Sequence, residues 1–183
     1  MTGARFLVVL SLLACGACTA AGPGGATPSA RPPAVTTSVR VPAGTQSARV
    51  RSIVDGDTLH LVASGAGPLP AGRDERVRLL EINAPEIHGQ VQCFGPEATT
   101  ALGRIAPVGS TVRVLADREG HDKYGRPLLY VWSADGTFVN EALVREGDAV
   151  PLLIAPNDRF IDVMRAAEQG ARSERRGQWE SCH

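Results

Sequence analysis

Apolar residues recur along this chain in short runs and in alternation with polar residues, which is the pattern of β-strands. The dipeptide Asp55-Gly56 predicts a tight turn between two such runs. Pro85 ends another run because proline has no N–H to donate to a strand ladder. Residues 63–74 are rich in glycine and proline and predict a surface loop. The pattern predicts five strands, at residues 48–53, 58–62, 76–82, 111–116 and 128–132.

Three further stretches show helical spacing. The first opens at residues 95–97, where proline suits the first helical position and glutamate favours the helix dipole, and it stops at Pro107. The second carries an apolar stripe over residues 138–143. The third begins at Asn157 or Asp158, both of which are good N-cap residues.

The order of these elements predicts an α+β domain with five strands and three helices. Five strands can close as a small barrel, and the OB-fold is one such arrangement; on the pattern alone, other α+β arrangements stay open. A chain of 183 residues suits one domain rather than two. Its aromatic content of 4% argues against a platform that stacks many bases.

The N-terminus predicts an export signal over residues 1–18. Arg5 precedes an apolar segment, residues 6–14, which is too short to span a bilayer. That segment runs into Cys15 through a sequence that resembles the bacterial lipobox, so we expect lipidation of Cys15 and a lipid anchor in a cell membrane. Cys18 is a second candidate for lipidation, and an ordinary secretory signal cleaved near Ala21 is the alternative. Both readings predict an exported protein.

Residues 19–45 contain mostly alanine, glycine, proline, serine and threonine, with few large apolar side chains. Such a segment buries too little surface to offset its ordering entropy, so it predicts a disordered tether. The folded domain is predicted at residues 46–183. It carries 16 basic and 19 acidic residues, a net charge of −3, which predicts weak long-range attraction of nucleic acid.

Polar residues able to do chemistry gather at the predicted strand ends. Asp57 follows the first strand, and Asn83 and Glu86 follow the third. Arg78 and Arg126, each within or beside an apolar run, can point guanidinium groups to the same place. Two carboxylates, an amide and two guanidinium groups suit a hard cation and a phosphate.

Several ordered motifs resemble the staphylococcal (thermonuclease-like) nuclease family. They are the residues at 55–58, 78–86, 95–98, 122–126, 139–144 and 177–179, which read DGDT, RLLEINAPE, GPEA, DKYGR, VNEALV and GQW. The resemblance covers about residues 46–179 in the expected order and spacing. It implies an OB-fold barrel with three helices and a calcium-dependent phosphodiesterase that acts on DNA and RNA and leaves 3′-phosphorylated products.

The resemblance also implies a role for each matching position. Asp57, Asn83 and the backbone carbonyl of Ala84 match the calcium ligands. Glu86 matches the general base that activates water. Arg78 and Arg126 match the pair that binds the scissile phosphate. Lys123 and Tyr124 match positions that contact a terminal phosphate of the substrate.

Two positions depart from the family pattern. Asn83 stands where the family has aspartate, so we expect weaker calcium binding because one negative charge is lost. Leu152 stands where the family presents a tyrosine near the bound nucleotide, so base stacking there is not expected. These departures, together with the negative net charge, keep a second reading open: an envelope-anchored OB-fold module that binds nucleic acid or a protein partner without cutting it.

Two cysteines of the predicted domain flank its helical elements. Cys93 precedes the first helix, and Cys182 follows the last. Exported proteins keep disulfides, so we predict that these two cysteines pair and tie the C-terminus to the barrel. The chain is expected to be a monomer.

Overall fold

The computed structural model describes residues 39–182. The predicted signal at residues 1–18, with the lipidation candidates Cys15 and Cys18, lies outside the described residues, as does most of the predicted tether.

Five strands close into a barrel. They are β1 (Gln46–Ile53), β2 (Thr58–Ser64), β3 (Asp74–Leu79), β5 (Thr111–Leu115) and β6 (Leu128–Trp132), and they neighbour one another in the order β1-β2-β3-β6-β5. The pairing of β3 with β6 is parallel and the other pairings are antiparallel. A separate two-stranded sheet joins β4 (Ile82–Asn83) to β7 (Val150–Pro151).

Four helices complete the domain: α1 (Gly95–Ile105), α2 (Val139–Arg145), α3 (Ile161–Ser173) and the short α4 (Gln178–Ser181). The predicted α+β class, with a five-stranded OB-fold barrel and three helices, is confirmed, and α4 adds a single turn. Within residues 39–182, no helix combines the length and the apolar character needed to cross a membrane.

Apolar residues at alternate positions along the strands fill the interior of the barrel. Leu59, Leu61 and Val77 are fully buried on its inner side, and every residue of β6 is buried. Trp132 stacks on Phe138 with ring centroids 4.7 Å apart. Trp132 is fully buried and therefore belongs to the core, where no nucleobase can stack on it.

The third strand ends earlier than the predicted limit at Ile82. Glu81 has a φ of 59°, which turns the chain after Leu79 and starts β4 in a second sheet. The Glu81 carboxylate is fully buried and accepts hydrogen bonds from the Tyr130 hydroxyl (2.6 Å) and the Phe160 N–H (3.1 Å). Tertiary contacts thus override the strand pattern at this residue.

The third long helix begins at Ile161, later than the predicted N-cap at Asn157 or Asp158. The Asn157 side chain is committed elsewhere, because it accepts the Glu119 N–H (2.8 Å) and donates to the Glu119 carbonyl (3.0 Å). Asp158 forms an ion pair with Arg118 at 2.9 Å.

Contacts with the domain begin upstream of the predicted boundary at Gln46. The Trp132 indole N–H donates to the Val39 carbonyl (2.9 Å), and Val39 packs on the core. The Arg113 guanidinium donates to the Thr45 carbonyl (2.8 Å). At the other end of the domain, Cys93 and Cys182 form a disulfide with an S–S distance of 2.03 Å.

Candidate active site

The turn between β1 and β2 places Asp57 against the loop that follows β4. Asp55 accepts the Asp57 N–H through its side chain (3.1 Å), so Asp55 has the turn-forming part that its position suggests. Gly56 allows the close approach, because a Cβ there would lie 2.6 Å from the Ala84 Cβ. The sequence folds this way because no larger residue fits between the turn and Ala84.

Asp57 is buried and its two carboxylate oxygens point to different partners. Oδ2 accepts the Ala84 N–H (2.9 Å), and Oδ1 accepts the Thr58 hydroxyl (3.0 Å) and lies 3.0 Å from Nε of Arg78. Burial raises the pKa of Asp57 above its ordinary value, while the Arg78 guanidinium and the Ala84 N–H oppose that rise.

Most of the N–H donors of the Arg78 guanidinium already have a partner. Nη1 donates to the carbonyls of Leu79 (2.6 Å) and Ile82 (2.7 Å), and Nη2 donates to the Asn83 side-chain oxygen (3.1 Å). Its ion-pair partner is Asp57. A guanidinium group has five N–H donors, and among the described residues the second N–H of Nη2 has no partner. One donor is therefore left for a ligand.

The oxygens around Asp57 fit a calcium ion by their chemistry. Within residues 39–182 no three His, Cys, Asp or Glu side chains gather in a way that could hold a metal. The predicted ligands instead combine one carboxylate from Asp57, the amide oxygen of Asn83 and the carbonyl of Ala84. All three are hard oxygen donors, which calcium accepts in irregular arrangements. The Ala84 carbonyl is only weakly engaged, since it accepts a 3.4 Å hydrogen bond from Asn83.

A second turn, at residues 122–126, presents the other guanidinium group. The Asp122 carboxylate accepts the backbone N–H groups of Tyr124 and Arg126 (both 2.9 Å) and the Arg126 Nε–H (2.7 Å). Burial raises the pKa of Asp122, but these hydrogen bonds outweigh it and leave the pKa below its ordinary value. Gly125 has a φ of 78°, as the tight turn requires. The two Nη groups of Arg126 have no partner among the described residues.

An open cavity of about 570 Å³ lies against the second turn and extends to Arg78. The residues that line it include five singled out from the sequence, namely Arg78, Lys123, Tyr124, Arg126 and Leu152. The Tyr124 ring is 73% exposed and lies under two cations, with Lys123 Nζ 5.0 Å and Arg126 Cζ 5.7 Å from its centroid.

Part of the lining of this cavity was not predicted from the sequence. Glu119, His121, Ile154 and Ala155 also line it. His121 immediately precedes the 122–126 motif, and that position was the available signal for it. Glu119 and Ile154 carry no local signal, because tertiary packing alone brings them to the cavity.

Glu86 lies apart from the lining of that cavity, on the exposed loop after β4. Gln92 holds this loop at both sides, accepting the Glu86 N–H through its side chain and donating its own N–H to the Glu86 carbonyl (both 2.9 Å). Gly95 is required because a Cβ there would lie 2.6 Å from the Glu86 carbonyl oxygen. The first turn of α1 thus supports the backbone of Glu86 and leaves its carboxylate exposed.

Comparison with known proteins identifies a family that fits this geometry. The family model described as staphylococcal nuclease homologue matches residues 76–181. The thermonuclease of Staphylococcus intermedius is 34% identical over 134 residues, which cover 72% of this chain and 74% of that protein. Endonuclease YncB of Bacillus subtilis (strain 168) is 32% identical over 130 residues, 69% of this chain and 58% of that protein. The resemblance seen in the motifs is confirmed, and the chain belongs to the staphylococcal nuclease homologue family.

Proposed function

We propose that this chain is a calcium-dependent phosphodiesterase that hydrolyses DNA and RNA and leaves 3′-phosphorylated products. The observation that carries the proposal is the position of Arg78. Its guanidinium contacts the Asp57 and Asn83 oxygens and also lines the cavity that holds Arg126, with one N–H still unpartnered among the described residues. A phosphate in that cavity lies beside a candidate cation site.

Asp57, Asn83 and the Ala84 carbonyl are the groups that would hold calcium. When bound, calcium supplies positive charge that stabilises the negative charge developing on the phosphate oxygens. The match of these positions to the family motifs and the hard oxygen donors that they present support this assignment.

The side chains divide the chemistry between binding and proton transfer. Arg78 and Arg126 donate hydrogen bonds to the non-bridging oxygens of the scissile phosphate, and Lys123 and Tyr124 bind a terminal phosphate. Glu86, on its exposed loop, takes a proton from water. The water oxygen bonds to phosphorus, the bond from phosphorus to the 5′ oxygen breaks, and that oxygen takes a proton from solvent water and leaves as an alcohol. The phosphate then remains on the 3′ oxygen.

We also propose that the protein is exported and works as a monomer, with Cys15 lipidated and residues 19–38 serving as a tether; the alternative is a secreted form. The disulfide between Cys93 and Cys182 supports an oxidising compartment. The test is mass spectrometry of the N-terminal peptide purified from cells. A diacylglycerol-modified Cys15 supports the anchor at that residue. A modified Cys18 instead shows that the lipid is attached at Cys18, and an unmodified N-terminus near Ala21 contradicts the lipid anchor.

A binding module without catalysis is the second candidate function. The net charge of −3 over residues 46–183 and the 40% exposed Leu152 on the cavity wall favour it, since both weaken the grip on a nucleotide. This reading predicts binding of an oligonucleotide without hydrolysis at any calcium concentration.

The chemistry of the products separates the two candidates. Purified protein is incubated with single-stranded DNA and with RNA, in calcium or in chelator, and the product ends are identified by mass spectrometry. Calcium-dependent products with 3′-phosphate ends support the nuclease. Products with 5′-phosphate ends contradict the proposed bond cleavage, and intact substrate in every sample favours the binding module.

A further inference from the structure

A second cavity, of about 470 Å³, opens on the outer face of the β2–β3 pair. Val54, His60, Arg76 and His88 line it, so its lining contains an arginine, two histidines and no carboxylate. Neither the family roles nor the proposed function gives this cavity a part.

The strand register places this cavity next to the scissile phosphate position. Thr58 is paired with Arg78, and His60 is paired with Arg76. Directly opposed residues project to the same face of a sheet, and so do residues two apart along a strand. Arg76 therefore stands on the same face as Arg78 and about 7 Å along β3 from it, given a rise of about 3.4 Å per residue. The distance between successive phosphates of an extended single strand is similar.

The Arg76 guanidinium is available to a ligand. Its side chain is exposed and has no ion-pair or hydrogen-bond partner anywhere in residues 39–182. Arg73, near the start of the same strand, contrasts with it because it pairs with Glu75 at 3.5 Å.

Two imidazole rings flank that guanidinium. Nδ1 of His60 lies 2.7 Å from the Asp74 carboxylate, which fixes the ring in place. His88 also lines the cavity and lies on the loop that carries Glu86 two residues earlier. The cavity thus adjoins both the phosphate-binding arginine and the loop of the general base.

We infer that Arg76, flanked by His60 and His88, forms a second phosphate subsite, which binds the backbone phosphate next to the scissile one in a single-stranded nucleic acid. The inference rests on the proposed function, because that function places the scissile phosphate at Arg78. Lys123 and Tyr124 then bind the strand on one side of Arg78 and Arg76 binds it on the other. The substrate follows the outer face of β3 and crosses the active site between the two cavities.

The subsite is tested by binding, which separates it from cleavage. Fluorescence anisotropy measures the affinity of a labelled hexathymidylate for the Glu86→Ala protein in calcium, with and without Arg76→Gln, over a range of salt concentrations. A dithymidylate, which has a single phosphodiester, is measured by competition. Arg165→Gln is the matched control, because it removes the same charge from α3, which packs on α2 and β7.

Arg76→Gln is expected to weaken binding of the hexamer about three- to tenfold and to leave the affinity for the dimer unchanged. It should also reduce the slope of log affinity against log salt by about 0.7, the value for one phosphate contact on a single strand. Arg165→Gln should change neither quantity.

An unchanged hexamer affinity and slope, an equal effect of Arg165→Gln, or no binding of the hexamer at all would overturn the subsite. The measurement distinguishes a failure of the subsite from a failure of the cleavage proposal. Wild-type protein that binds through Arg76 but cleaves nothing refutes the nuclease and keeps the subsite, whereas a calcium-dependent nuclease that is indifferent to Arg76 refutes the subsite alone.

Discussion

Arg78 and Arg126 both line the cavity of about 570 Å³, but their surroundings differ. Arg78 is 6% exposed. Its guanidinium contacts two backbone carbonyls and also the side chains of Asp57 and Asn83. The Arg126 guanidinium donates one hydrogen bond, from Nε to Asp122, and lies over the Tyr124 ring, while its two Nη groups have no hydrogen-bond partner among the described residues. Arg78 therefore supports the fold and the site together, whereas Arg126 serves mainly the site.

Replacement of each arginine by lysine should separate these parts. Arg78→Lys is expected to lower the free energy of unfolding by about 2 to 3 kcal/mol, because a lysine leaves buried acceptors unpaired. Arg126→Lys should change it by less than about 1 kcal/mol, because its ion pair is partly exposed. Both variants should lose about a hundredfold in hydrolysis rate. Equal stability of the two variants in urea unfolding would contradict this distinction.

Asn83 sets the charge of the candidate calcium site. Asn83→Asp restores a second carboxylate beside Asp57, so calcium affinity should increase about tenfold. Isothermal calorimetry measures that affinity without reference to activity. Gln92→Glu is the matched control, because it adds a charge to the neighbouring loop outside the ligand set and should have a much smaller effect. No gain in affinity for Asn83→Asp would show that this position does not ligate calcium.

At the scale of elements, local patterns predicted the turns and missed the places where distant elements meet. The turns at residues 55–58 and 122–126 were predictable because glycine and aspartate determine their own hydrogen bonds. The break in the third strand was not, because Glu81 is held by Tyr130 and Phe160 from distant parts of the chain. The role of Gln92 was likewise not predictable from the sequence, because its side chain belongs to no motif and acts only by accepting the backbone N–H of Glu86.

Asp148, in the connection between α2 and β7, is a buried carboxylate whose Oδ2 has no hydrogen-bond partner. Burial raises the pKa of Asp148 to about 6, against an opposing effect of Arg104 and a smaller raising effect of Glu146. The folded state therefore binds this proton more tightly than the unfolded state. The free energy of unfolding contributed by this group is highest below about pH 4, falls as the pH rises to about 6 and is constant above that.

Asp148→Asn should remove this pH dependence. The variant is expected to be more stable than wild type by about 1 to 2 kcal/mol at pH 8, with the difference vanishing towards pH 4. Urea unfolding at several pH values measures it, with Asp162→Asn as a control because that side chain is 92% exposed. A stability difference that stays the same from pH 4 to pH 8 would contradict the assignment.

At the scale of the whole molecule, the disulfide closes the domain. It joins Cys93, before α1, to Cys182, after α4, across 89 residues of sequence. Cys93→Ser with Cys182→Ser should lower the free energy of unfolding by about 2 to 4 kcal/mol, because the unfolded chain loses a long constraint. Thermal unfolding with and without reductant checks this. Reductant should destabilise the wild type and leave the double variant unchanged; an effect of reductant on neither protein would refute the prediction.

The order of the motifs predicted the barrel, its helices and the residues around Arg78, because those motifs are local and retain their spacing. The cavity beside Arg76 could not be predicted, since it depends on which face of β3 is exposed and on the tertiary position of the loop that brings His88 to its lining. The observed domain boundary lies upstream of the predicted one, because Val39 packs on the core although its surroundings in sequence resemble a tether.

The most direct test of the account is the rate of single-stranded DNA hydrolysis in calcium by wild type, Glu86→Gln and Glu97→Gln. Glu97 is an exposed carboxylate in the first turn of α1 and serves as the matched control. We predict that Glu86→Gln loses about a hundred- to ten-thousandfold in rate with an unchanged melting temperature, because the base that takes the proton is removed. Glu97→Gln should cleave like wild type. A Glu86→Gln protein as active as wild type would contradict the proposed role of Glu86 as the general base.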